Sequence, residues 1–172
     1  PYLRNDGTAN QLAVFVENQQ PSSRWYSGSG IYREVKLLIT DSVHLDLYGI
    51  KIVSPKLKEQ RQSWVETQLT SKVSNDGPQS VSVYLEQSIW YDGQQLSDWQ
   101  ATDSLVIESG EKHHFQQAIS IFQPLLWDIA SPHLYQLKTR LYKNGILVNE
   151  EEETFGYRYM DWQADKGFFL NG

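Results

Sequence analysis

Trp64-Val65-Glu66-Thr67-Gln68-Leu69-Thr70-Ser71-Lys72-Val73-Ser74-Asn75-Asp76-Gly77-Pro78 is the stretch on which the fold turns. Val65, Thr67, Leu69, Ser71 and Val73 fall on one face of a strand, and Trp64, Glu66, Gln68, Thr70 and Lys72 on the other, so its sheet has one wet side. Asn75-Asp76-Gly77-Pro78 then supplies strong turn chemistry. The same alternation continues on both sides. Val81, Val83 and Leu85 lie opposite Ser80, Ser82 and Tyr84, and Asp92-Gly93 marks another turn. A weaker strand over Ser104–Ile107 stops at Ser109-Gly110-Glu111, after which Phe115, Ile119 and Ile121 keep period two until Pro124. Pro132–Phe155 reads as a hairpin, with Tyr135, Leu137, Thr139 and Leu141 on one side and Asn144-Gly145 favouring a type I′ turn. Upstream, Val43, Leu45 and Leu47 run through Tyr48-Gly49 to Ile50 and Ile52. About seven strands after residue 42 is the immunoglobulin-like number. No window shows a helical period, so the expected class is all-β. Tyr135, opening the sixth strand, is placed to turn its hydroxyl back onto upstream backbone as a tyrosine corner.

The chain of 172 residues is long enough for a real core, and its 40% hydrophobic content is ordinary for a globular protein. No apolar run reaches membrane-spanning length. A formal charge of −6 with 15 scattered basic residues argues against a nucleic-acid partner. With no cysteine, disulfides and thiolate metal sites are excluded and the compartment is left open. The first residues have neither the apolar core nor the cleavage site of a signal peptide.

The odd stretch is Pro21–Arg33, Pro-Ser-Ser-Arg-Trp-Tyr-Ser-Gly-Ser-Gly-Ile-Tyr-Arg, which reads as a loop between alternating runs at Leu12–Val16 and Ile31–Ile39. Arg24 beside Trp25 suits a sugar: the indole offers a flat apolar face, the guanidinium fixed donors. Gly28 and Gly30 permit positive φ and close backbone approach. The plain alternative is that these aromatics pack the loop onto its own sheet. Glu150–Glu153 is the one dense carboxylate cluster. Alternate glutamates would share a face at a spacing an inverting pair of acids tolerates, but four consecutive acids cannot all be buried, so a charge-guarded edge strand is the better reading. His113 and His114 are adjacent in a strand and face opposite ways, so they cannot chelate one ion; His44 and His133 are isolated. No nucleophile elbow, phosphate loop or metal spacing is present.

Three stretches then align in order. Arg24-Trp25-Tyr26-Ser27-Gly28-Ser29-Gly30-Ile31-Tyr32-Arg33, Leu126-Trp127-Asp128 with Pro132-His133-Leu134-Tyr135, and Phe155-Gly156-Tyr157-Arg158 with Gly167-Phe168-Phe169-Leu170-Asn171-Gly172 together resemble glycoside hydrolase family 2, particularly its β-galactosidases. The resemblance implies a middle slice of a larger enzyme. Residues 1–42 would be the closing strands of a sugar-binding jelly roll, 43–157 an immunoglobulin-like β-sandwich, and 158–172 the lead-in to a (β/α)₈ catalytic barrel. Members retain anomeric configuration with two glutamates carried by the barrel, downstream of Gly172, so this segment is expected to be inactive alone. Arg24 and Trp25 would contribute to the parent's substrate pocket. The resemblance implies no cofactor in this segment, with Mg or Na ions bound elsewhere in the parent. The partner would be a β-glycoside reached through the barrel, with a homo-oligomer also in keeping with the family, and neither nucleic acid nor membrane. The rival is a stand-alone immunoglobulin- or fibronectin-like carbohydrate-binding or adhesion module acting through Trp90, Tyr91 and Trp99. The truncated strands of residues 1–42 are expected to pair with each other, dock on the sandwich or join another molecule.

Overall fold

The computed structural model describes residue 4, residues 6–18 and residues 28–172, and the chain falls into two compact units, Pro1–Leu38 and Ile39–Gly172. In the first unit the structure departs from the sequence pattern. Neither Leu12–Val16 nor Ile31–Ile39 forms a strand: Leu12 is 79% exposed and Phe15 89%. Alternation makes a strand only when a second strand satisfies its N–H and C=O groups, and neither run has a ladder partner among the described residues.

The second unit is built from strands β1 (Val43–Val53), β2 (Trp64–Asn75), β3 (Val81–Tyr91), β4 (Gln94–Gln95), β5 (Gln100–Ala101), β6 (Leu105–Ile107), β7 (Lys112–Phe122), β8 (Tyr135–Lys143) and β9 (Ile146–Phe155). A single helical turn, α1 (Leu57–Gln60), follows β1, and a small hairpin of β10 (Met160–Gln163) and β11 (Gly167–Leu170) follows β9. One sheet has the order β1-β2-β7. The other runs β4-β3-β8-β9, with β5 and β6 also along the edge of β3. Because β4, β5 and β6 pair with successive parts of β3, they act as one interrupted edge strand, and the sandwich has the seven strand positions of an immunoglobulin-like domain. All named pairings are antiparallel.

β2 behaves as its alternation requires: Val65, Thr67, Leu69, Ser71 and Val73 are all at most 1% exposed. The β8–β9 hairpin turns on Asn144 and Gly145, at φ 50° and 80°, as a type I′ turn demands. A bulge between Leu141 and Tyr142 in the ladder then re-phases β9. β1 is less regular than its pattern suggests. Its register breaks between Leu45 and Ile50, so Asp46–Gly49 loops out, Tyr48 takes φ 55°, and Leu47 is exposed instead of buried. Gly49 permits the excursion, since a Cβ there would sit 2.6 Å from the Asp46 carbonyl oxygen. Asp46 pins it in place, accepting from Lys72 Nζ at 2.8 Å, from Lys112 Nζ at 3.2 Å and from Ser74 Oγ.

The core between the sheets is divided. One apolar cluster includes Val43, Val83, Leu85 and Phe115; the other includes Val65, Ile89, Ile119 and Leu137. Along β3, Gln87 takes the inward position between Leu85 and Ile89. Its Nε2 donates to Ser71 Oγ at 3.0 Å and Thr139 Oγ1 at 2.9 Å, so a buried polar tie joins the two sheets.

Candidate functional site

The sequence points first to Arg24 and Trp25, and both lie outside the described residues. Of the same loop, Gly28–Arg33 is described and exposed; a Cβ at Gly28 or Gly30 would meet nothing within 4 Å, and Arg33 stacks over Tyr32 with its guanidinium carbon 5.5 Å from the ring centre.

The other motif stretches do come together, at one end of the sandwich. Leu126 bridges in parallel to Tyr157, and Trp127 N donates to the Tyr157 carbonyl at 2.7 Å. Trp127 packs against the chain at Gly156, where an added Cβ would sit 2.8 Å from the Trp127 Cβ, so only glycine fits there. The Arg158 guanidinium covers the indole at 5.0 Å. Asn171 closes the arrangement. Its Nδ2 donates to the Trp127 carbonyl at 2.9 Å, its Oδ1 accepts from Tyr159 N at 3.1 Å, and its own N donates to the Tyr159 carbonyl at 2.9 Å. Tyr159 Oη also donates to the Asn171 carbonyl. Asn171 sits at φ 60°, a left-handed conformation that asparagine tolerates better than most residues. Leu126-Trp127, Phe155–Arg158 and Asn171-Gly172 are therefore one knot.

The tyrosine corner is present beside it. Leu125 N donates to Tyr135 Oη at 2.8 Å, and Tyr135 packs against Tyr91, Phe155 and Tyr157 with ring centres 4.7, 5.8 and 4.8 Å away. Burial pushes the phenols of Tyr135 and Tyr157 up, and Tyr157 Oη shares a hydrogen bond with Thr67 Oγ1 at 2.8 Å. Both hydroxyls work as structural ties. Next to the knot an open groove of about 580 Å³ is lined by Ile52, Pro55, Leu57, Trp127, Phe155 and Arg158 among others, with no carboxylate or imidazole in its wall. It can hold apolar chain and one anionic or carbonyl group, but it has no acid/base pair.

The carboxylate run lies elsewhere, on the edge strand β9. Glu150 accepts from Arg140 Nε at 2.8 Å and Glu152 lies 3.7 Å from Lys138 Nζ, both on the outer face. Glu151 and Glu153 turn the other way and are half-buried. Burial, then the neighbouring charge of Glu153, raises the Glu151 carboxyl, with His44 acting in the opposite sense. Asn149 Oδ1 accepts from Leu45 N at 3.0 Å and so holds β9 against β1. The edge reading of this run is correct; the partial burial of its inner pair is set by the bulge, which sequence alone did not reveal. Trp90 and Trp99, candidate binding aromatics, are covered by the chain's own cations: Lys138 Nζ lies 4.3 Å from the Trp90 ring centre and Arg140 Cζ 4.0 Å from that of Trp99. Tyr91 Oη is hydrogen-bonded to His133 Nδ1 at 2.7 Å. Among the described residues no three His, Asp or Glu side chains are grouped to hold a metal ion. Two residues that matter here were not singled out from sequence. Asn171 enters the sequence reading only within the third motif stretch, with no role of its own, and Gln87 is a polar residue in an apolar phase, the signal by which it could have been found.

Comparison with known proteins matches this architecture. The family model described as glycosyl hydrolases family 2 matches residues 50–158. A β-galactosidase from Bacteroides ovatus, BoGH2A, is 33% identical over 174 aligned residues, covering 100% of this chain and 20% of that protein. A putative β-glucuronidase from Formosa agariphila is 31% identical over 164, covering 95% of this chain and 15% of its own length. Among solved structures, a glycosyl hydrolase family 2 member from Bacteroides cellulosilyticus superposes with a TM-score of 0.68 at 25% identity, covering 77% of this chain and 18% of its own. A β-glucuronidase from Bacteroides uniformis gives 0.67 at 25% identity, over 77% and 16%. The chain thus spans a fifth or less of the length of these relatives. With its motif stretches tied into one knot and the family pattern running through most of its sandwich, the chain belongs to glycosyl hydrolase family 2.

Proposed function

We propose that this chain is the non-catalytic scaffold of a retaining, exo-acting β-glycosidase of the β-galactosidase type, with the chemistry supplied by another part of a longer polypeptide. The observation that carries this is the knot of Trp127, Gly156 and Asn171, which fixes the path of the backbone without assembling any acid/base pair. The relative BoGH2A, a β-galactosidase matched along the whole chain, supports the galactoside assignment. In this reading residues 1–42 close a jelly roll, 43–157 form the sandwich and 158–172 lead into the barrel. Arg24 and Trp25 line the substrate pocket there.

A second reading of the substrate has its own support, since several relatives are β-glucuronidases and a guanidinium at Arg24 would suit a uronate. The test is the full-length enzyme against chromogenic β-galactosides and β-glucuronides, with product stereochemistry followed by NMR. Galactoside cleavage with retention supports the proposal; preference for the glucuronide moves the assignment to the second reading. Turnover by the 172-residue chain alone would overturn it. Arg24→Ala and Trp25→Ala are expected to raise KM at least about tenfold for the preferred glycoside, the loss of one charge-assisted or stacking contact. Unchanged constants remove both residues from the pocket.

A further inference from the structure

The sandwich has four sheet edges, and three of them are defended. β1 is broken by the Asp46–Gly49 excursion, β9 carries Glu150–Glu153, and the edge beside β3 is cut into the short pieces β4, β5 and β6. β7 is different. It runs eleven residues in unbroken register with β2, from Trp64↔Phe122 to Ser74↔Lys112, and no strand pairs with its other side among the described residues. It contains no proline and no bulge, and Lys112 at its start is its one fixed charge.

The hydrogen bonds that bracket the β2–β7 ladder fix which backbone groups are free. Gln123 N donates to the Ser63 carbonyl at 2.8 Å and Asn75 N to the Glu111 carbonyl at 2.9 Å. In an antiparallel ladder such pairs recur at every second residue, so odd-numbered residues of β7 bond to β2. Lys112, His114, Gln116, Ala118, Ser120 and Phe122 therefore aim their N–H and C=O groups outward.

We propose that β7 pairs antiparallel with β7 of a second copy of this chain, about a two-fold axis at Gln117, joining the two β1-β2-β7 sheets into one. The strand is complementary to itself in that register. Lys112 meets Phe122, His114 meets Ser120 and Gln116 meets Ala118, all even-numbered residues whose free backbone groups face each other; on the inner side Phe115 meets Ile119. No like charges oppose, because the two Lys112 residues lie at opposite ends of the ladder, about 34 Å apart. At the axis the two Gln117 side chains come together. Each Nε2 already donates to the Gln100 carbonyl at 2.8 Å, and each Oε1 is buried without a donor among the described residues. The pairing is independent of the glycosidase assignment, since it needs only this sandwich.

Sedimentation equilibrium of the 172-residue chain from about 5 µM to about 500 µM tests it, a range suited to a small interface. The mass is expected to climb from one chain towards two, and hydrogen exchange at His114, Gln116, Ala118 and Ser120 to slow at least about tenfold as concentration rises. Ala118→Pro removes an outward N–H that β2 does not use, so it is expected to fold and stay monomeric. Should that variant fail to fold, Ala118→Lys decides, because it places two ammonium groups diagonally across the axis. A monomer at every concentration overturns the proposal. So does a dimer that persists in the folded variants, or exchange at those amides that ignores concentration.

Discussion

Replacing Gln87 with methionine, a side chain of similar length and volume, tests the division of the core. Gln87 is 1% exposed, and Ser71 and Thr139 are fully buried, so neither hydroxyl can turn to water once the amide is gone. Two hydrogen bonds at about 1 kcal/mol each are lost, and the desolvation of two stranded hydroxyls adds to that, for about 2–4 kcal/mol in all. Urea unfolding followed by tryptophan fluorescence reads the change, with the slope checked so that a shift in midpoint means a shift in stability. The decisive comparison is the triple variant Gln87→Met/Ser71→Ala/Thr139→Val. Replacing every partner by an apolar group of like shape removes the stranded hydroxyls, and the triple variant is expected to regain at least half of the single variant's loss. If Gln87→Met costs under about 0.5 kcal/mol, or if the triple variant is less stable than the single one, the tie between the sheets does not work as described.

Gly156→Ala forces a Cβ to 2.8 Å from the Trp127 Cβ, on a residue whose own N–H and carbonyl are both hydrogen-bonded, and is expected to lower stability by about 1–3 kcal/mol in the same urea assay. Tyr135→Phe leaves Leu125 N without its 2.8 Å acceptor and is expected to cost about 1–2 kcal/mol, with faster exchange of the Leu125 amide as the direct readout. Two carboxylates are expected to show opposite pH signs. Burial alone would raise Asp46, but hydrogen bonds from Lys72, Ser74 and Lys112 outweigh it and hold the group well below 3.8. Its contribution is present at neutral pH and lost as pH falls below about 4, so Asp46→Asn is destabilising at pH 7 and converges on the parent stability in acid. Glu151 is raised above 4.5, so ionising it opposes folding at neutral pH; Glu151→Gln is expected to be stabilising at pH 7, with the difference fading below pH 4. Melting curves across that pH range check both.

The strands of the sandwich were legible because each carries a full period-two pattern closed by its own turn: Val65–Val73 with Asn75-Asp76-Gly77, and Tyr135–Leu141 with Asn144-Gly145. Leu12–Val16 and Ile31–Ile39 carry a similar pattern and form no strand, because pairing depends on a neighbour that the pattern cannot supply. The Asp46–Gly49 excursion was hidden for a related reason. Leu47 keeps the alternation, while the break is enforced by the Asp46 carboxylate reaching Lys72 and by Lys112 from β7, one strand further across the sheet. At the candidate site the motif stretches were visible, yet their convergence was not. Asn171 ties to Trp127 from 44 residues away in sequence, a contact no local pattern encodes.

The knot at Trp127 has a mechanical consequence. Tension applied to the chain at residue 172 reaches Asn171 first and passes through its amide to the Trp127 carbonyl and through Tyr159 towards β9, so the load is shared between two segments. Asn171 stands at the open end of the β10–β11 hairpin, beside the Met160–Leu170 pair, so these ties must let go before the ladder behind them can open rung by rung.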